Sequence, residues 1–202
     1  AMLRLGAAAF LTRKPFYPQP PGPVQAPDHW PGWISPVAGG VVGSGWQDSR
    51  SYRGGSHEGV DFLIPVGTPI RSVANGKVTG AFLASDGNAG YMMTVDHGNG
   101  LISRYLHLSD FVADKGDYVG QGEVIALSGE SGSAKGQPQL HFDVHATAET
   151  VKQYAARFGT PDSGFPPHGS NEFAVPTEPL IPADFAPNVI ANAQARGVFI
   201  YG

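Results

Sequence analysis

The chain of 202 residues has no cysteine, which removes disulfides, thiolate metal sites and cysteine nucleophiles from consideration. Charge is also sparse: 13 Lys and Arg stand against 17 Asp and Glu, a formal net charge of -4. No block of like charges occurs, so a dedicated nucleic-acid surface is not expected. Nor does any apolar run reach the length of a transmembrane helix. The short opening run Ala1–Leu11 ends in Thr12-Arg13-Lys14 rather than at a cleavage site, so it is not read as a signal sequence. What the chain has in quantity is turn formers, 28 Gly and 18 Pro without a period. That composition fits many short strands joined by tight turns, and the chain is expected to be mostly β.

Three stretches follow from the punctuation. Residues 1–33 form a Pro-rich arm, with seven prolines between Lys14 and Trp33. Residues 34–146 are the folded unit, and short apolar runs at 59–64, 69–73, 76–84, 90–97, 101–107, 123–128 and 139–145 are its expected strands in a compact antiparallel sheet or sandwich. Asn75-Gly76 and His97-Gly98-Asn99-Gly100 are expected turns with positive φ. Residues 147–202 form an extension: a helix from Thr147 to Gly159, with Val151, Tyr154, Ala155 and Phe158 at helical spacing, a Pro-rich loop from Gly159 to Pro187, and a short helix from Asn188 to Arg196.

The chemistry gathers on two segments. A strand at Gln139-Leu140-His141-Phe142-Asp143-Val144-His145 turns Gln139, His141, Asp143 and His145 to one face and three apolar residues to the other. Upstream, His57-Glu58-Gly59-Val60-Asp61 offers an imidazole and a carboxylate, the ligand types zinc accepts from a protein without cysteine. Gly59 and the strand-like run after it argue against the helical zinc motif. If His57 ends a loop and Asp61 opens a strand, both can meet His141 from a neighbouring strand, and three ligands leave room for water. Strand alternation puts Tyr105 and His107 on one face, where His107 is either a base beside the metal or a structural histidine. His97, beside a turn, reads as structural, and the loop Ser131–Pro138 as a cleft wall.

His57-x3-Asp61-Phe62, Pro65-Val66-Gly67-Thr68-Pro69-Ile70, Ala74-Asn75-Gly76-Lys77-Val78, Asp96-His97-Gly98-Asn99-Gly100, Tyr105-Leu106-His107-Leu108-Ser109 and Leu140-His141-Phe142-Asp143 occur in the order found in lysostaphin-like (LytM-like) zinc metalloendopeptidases, which the chain resembles from about Ile34 to Ala146. The resemblance implies that fold, zinc (Zn2+) on His57, Asp61 and His141, and His107 as a catalytic histidine. It also implies a peptidoglycan peptide as substrate, cut in the stem peptide or the cross-bridge, and a bacterial envelope, secreted or virion-associated location. One departure stands out: Gln139 occupies the place of the family's second catalytic histidine, and an amide can donate a hydrogen bond but cannot take a proton. That departure keeps open a catalytically impaired wall-binding or regulatory module, or a phage-particle or envelope component. Oligomeric state is not legible.

Overall fold

The computed structural model describes residues 33–38, 41–45, 49–50, 55–83, 87–98, 100–158, 167–168 and 172–175. The expected arm before Trp33, most of the Pro-rich loop and the expected helix at 188–196 lie outside them. The strands are β1 (Val41–Ser44), β2 (Ser49–Arg50), β3 (Gly55–Ser56), β4 (Val60–Leu63), β5 (Pro69–Arg71), β6 (Gly76–Leu83), β7 (Tyr91–Asp96), β8 (Leu101–Phe111), β9 (Tyr118–Val119), β10 (Val124–Ser128), β11 (Leu140–Thr147), β12 (Pro167–His168) and β13 (Glu172–Val175). One helix, α1 (Ala148–Phe158), follows β11 directly. Among the described residues no helix is long and apolar enough to cross a membrane.

The main sheet runs β1-β4-β11-β8-β7-β6-β9, with every pairing antiparallel; β2 and β3 form a separate hairpin. Alternation explains its placement. Leu140, Phe142 and Val144 of β11 and Val60 and Phe62 of β4 are buried in one cluster with Val78, Met93, Val95, Leu101, Tyr105, Leu108 and Ile125. The intervening residues Asp61, His141 and Asp143 are thereby turned to the opposite face. Trp33, the first described residue, packs into the same core.

Local turns mostly follow their chemistry. Gly98 and Gly100 reverse the chain between β7 and β8 at φ 76° and 78°, a region that costs a residue with a side chain. Gly76, expected at positive φ as well, lies instead in β6, where an added Cβ would sit 2.6 Å from Val95 Cγ1. Thr147 closes β11 and caps α1, its Oγ1 accepting from Thr150 N–H at 3.4 Å.

Two larger features also depart from the sequence reading. Glu172–Val175, expected within a Pro-rich loop, forms β13 against the second half of β11, pairing Val144 with Val175 and Thr147 with Glu172. The first half of β11 is taken by β4, so the edge beyond it attracts a strand from far along the chain. The other departure is in β8. Tyr91 pairs with Leu108 but Met93 pairs with Tyr105, so β8 carries one residue more than β7 across that interval. His107 lies in this bulge at φ 63°, a conformation rarely adopted outside glycine.

Candidate functional site

β4 and β11 are neighbours, and their register sets His141 opposite Asp61. The two side chains therefore meet on one rung, on the face away from the core. His57 comes from the loop just before β4. His57 Nε2, His141 Nδ1 and Asp61 Oδ1 form a triangle with edges of 3.0 Å between the nitrogens, 3.2 Å from His57 to Asp61 and 2.7 Å from His141 to Asp61. His57 and Asp61 are buried and His141 nearly so.

The outer contacts of these three side chains decide which atoms face inward. His57 Nδ1 lies 2.7 Å from the Gly45 carbonyl, an acceptor only, so Nδ1 carries the proton and Nε2 the lone pair of the neutral ring. His141 Nε2 lies 3.2 Å from Asp143 Oδ2, so Nε2 donates and Nδ1 points its lone pair inward. Ser44 Oγ donates to Asp61 Oδ2 at 2.8 Å, leaving Oδ1 for the triangle. With both rings neutral, three lone pairs converge on one point, an arrangement that a bound cation, or a proton on His141 in the metal-free protein, satisfies.

Electrostatics agree with that need. Burial pushes the Asp61 carboxyl up, but hydrogen bonds and charge from His141 and His57 reverse this and hold it well below the usual carboxylate range. Burial opposes charge on His141, yet Asp143 and Asp61 outweigh it and raise its pKa to about 9. In the metal-free protein a proton on His141 balances the carboxylate. Two imidazoles and a carboxylate are also a zinc donor set; two of the edges, 3.0 and 3.2 Å, sit slightly inside the roughly 3.3 Å that two tetrahedral zinc ligands keep, and the third, 2.7 Å, is the hydrogen bond between His141 and Asp61. The residues fit the metal.

His107 approaches from β8, with its ring centroid 6.1 Å from that of His141. The bulge corrects the expected shared face. Tyr105 is buried in the core, with its ring 5.2 Å from Phe142, while the extra residue and positive φ swing His107 to the His141 side. His107 Nδ1–H donates to the Ser131 carbonyl at 2.9 Å. The segment after Ser131 is a short 3₁₀ turn, Gly132–Ala134, rather than an open loop, and Ser131 Oγ binds the β7 and β8 backbones at Tyr91 N and Leu108 O. Gln139 immediately precedes β11, is 7% exposed, and bonds through its backbone N–H to Gly129 O at 3.1 Å.

The structure therefore brings His57, Asp61 and His141 to one point and sets His107 beside them. Sequence reasoning put Ser131 in a cleft-wall loop and Asp143 on the His141 face, but gave no orienting role to either, nor to Ser44, Gly45 and Arg104. For Asp143 the signal was present, since it is two residues from His141 on the same face. For the others nothing local announces them, because each reaches the site from a separate segment. His145, four residues past His141, lies with Nε2 3.6 Å from Asp143 Oδ1, on the carboxylate and outside the triangle.

Residues 55–153 match the model of Peptidase family M23, and the chain carries a domain of that family. The peptidoglycan DD-endopeptidase ShyA of Vibrio cholerae is 38% identical over 100 residues, 50% of this chain and 23% of that protein. Lysostaphin of Staphylococcus simulans is 35% identical over 90 residues, 45% of this chain and 18% of the relative. The chain thus spans about a quarter or less of the length of these curated relatives. Among solved structures, a zinc-containing peptidase from Vibrio cholerae superposes with a TM-score of 0.51 at 31% identity, covering 56% of this chain and 36% of that one. The catalytic domain of the prophage-encoded M23 protein EnpA from Enterococcus faecalis gives 0.50 at 28% identity, covering 55% and 86%. The fold of the described residues is that of lysostaphin-type M23 domains, mostly antiparallel sheet with one short helix among them.

Proposed function

We propose that this chain is a zinc-dependent endopeptidase that hydrolyses peptide bonds in bacterial peptidoglycan, in the stem peptide or the cross-bridge, at the cell envelope or after secretion. The observation that carries the reading is the convergence of His57 Nε2, His141 Nδ1 and Asp61 Oδ1, with His107 alongside. The M23 domain and relatives that act on peptidoglycan supply the substrate class. His57, Asp61 and His141 would hold the metal. Zinc bound there supplies Lewis acidity, polarising the scissile carbonyl and making a water acidic near neutral pH.

The chain's own side chains manage the proton. With Nδ1–H fixed on the Ser131 carbonyl, neutral His107 has its lone pair on Nε2. There it takes the proton released as water attacks and returns it to the departing amine. Gln139, on the His141 face, donates a hydrogen bond to the carbonyl oxygen as negative charge builds.

The amide at Gln139 also favours a second reading, in which the metal centre is retained and turnover is weak or lost, as in a wall-binding or regulatory module or a phage-particle or envelope component. Amino groups released from purified peptidoglycan by the zinc-loaded chain separate the two. Activity is expected, abolished in His141→Ala and reduced roughly a hundredfold or more in His107→Ala with zinc still bound. Bound zinc without release would select the second reading and make Gln139→His the variant to assay next.

A further inference from the structure

Asp143 takes no corner of the triangle, yet its residue is 0% exposed. A buried carboxylate is costly unless it is paired and hydrogen-bonded. The fold engages both oxygens: Arg104 Nε donates to Oδ1 at 2.7 Å and Arg104 Nη2 to Oδ2 at 2.8 Å, a two-bond fork. Oδ2 also receives His141 Nε2–H at 3.2 Å. These partners come from strand geometry. Arg104 of β8 is directly opposite Asp143 of β11, and Asp143 follows His141 by two positions on the same face.

Gly59 closes the third side. A Cβ at that position would lie 2.8 Å from Asp143 Cβ and 2.9 Å from His141 Nε2, so bare backbone is pressed against the imidazole–carboxylate contact. The ring has little room to rotate away. An imidazole can ligate through either nitrogen, and here the choice is set by the carboxylate on Nε2.

We infer that Arg104 and Asp143 act as a pair of positioning residues: the fork fixes the Asp143 carboxylate, Asp143 fixes the tautomer and rotation of His141, and the pair sets how tightly the centre retains zinc. This rests on the zinc reading of the centre. Outer partners of metal-bound histidines typically change metal affinity by about 10- to 100-fold, and the pair has that place.

The test titrates zinc alone into the full metal-free chain against a chromophoric chelator. Asp143→Asn is expected to weaken zinc about 10- to 100-fold. Arg104→Lys, which keeps charge but loses the fork, should weaken it less. The double variant should be no weaker than Asp143→Asn, because Arg104 acts through Asp143. In the zinc-loaded protein the His141 Nε2–H proton should exchange slowly with solvent, and faster in Arg104→Lys. Should Asp143→Asn not fold, Arg104→Lys, changed at a partly exposed side chain, decides by affinity and proton exchange. Unchanged affinity and exchange in the variants, or losses that simply add in the double, would overturn the pair's role while leaving the centre standing. Wild-type protein that binds no zinc would instead overturn the centre itself.

Discussion

At the scale of single residues, two histidines show how one side chain is set to opposite ends. His141 is raised by carboxylates, whereas His97 has only neutral partners within reach of its ring nitrogens: the Asn75 carbonyl at Nδ1 and Ser103 Oγ at Nε2, both at 2.9 Å, with the Trp33 ring 4.9 Å away. Burial pushes the His97 pKa down from 6.5 to about 4, against weaker opposing effects from Asn75 and Asp96. Between those values the unfolded chain binds more protons than the folded one, so His97 contributes stability above pH 6.5 that is lost as pH falls towards 4. The urea midpoint of the metal-free protein should decline across that window, and His97→Gln should flatten the decline. Equal slopes in the two proteins would remove His97 from the account of acid sensitivity.

At the scale of elements, the β8 bulge is what delivers His107, and its backbone can be tested apart from its chemistry. His107→Gly and His107→Ala both lose the ring, but only glycine is at ease at φ 63°. The glycine variant should be the more stable by roughly 0.5–1 kcal/mol after allowing for its freer unfolded chain. Urea unfolding of the two would measure this, and an alanine variant as stable as the glycine one would mean the turn relaxes in solution. The same strand marks the limit of sequence legibility. In β4 and β11 strict alternation separates Val60, Phe62, Leu140 and Phe142 from Asp61 and His141, so both the strands and the shared face of Asp61 and His141 could be read from spacing. In β8 one inserted residue breaks the period, and the pattern then assigns His107 the face of Tyr105. β13 was hidden for a different reason. Its four residues sit among prolines, and only the vacant edge of β11, far off in sequence, makes them a strand.

At the scale of the whole molecule, a metal that binds only the folded state must raise its stability. With free zinc at about 100 times its dissociation constant, the gain is about 2.7 kcal/mol, or about 5–10 °C in Tm for a chain of this size. Calorimetry with and without zinc should show that rise, and its absence in His141→Ala would tie it to the triangle. A Tm indifferent to zinc in the wild-type chain would count against the centre.

The placement of β1 and β13 has a practical meaning for anyone trimming this protein. The family match begins at residue 55 and stops at 153, but Ser44 and Gly45, which orient Asp61 and His57, come before it, and the strand that covers the far edge of β11 comes after it. A fragment cut at those limits keeps all three inward-facing donors and discards part of the frame that aims them. It also bares a ladder of unpaired amides and carbonyls on the strand that carries His141, an invitation to pair with another copy. The borders of ancestry and the borders of mechanical integrity do not coincide in this chain.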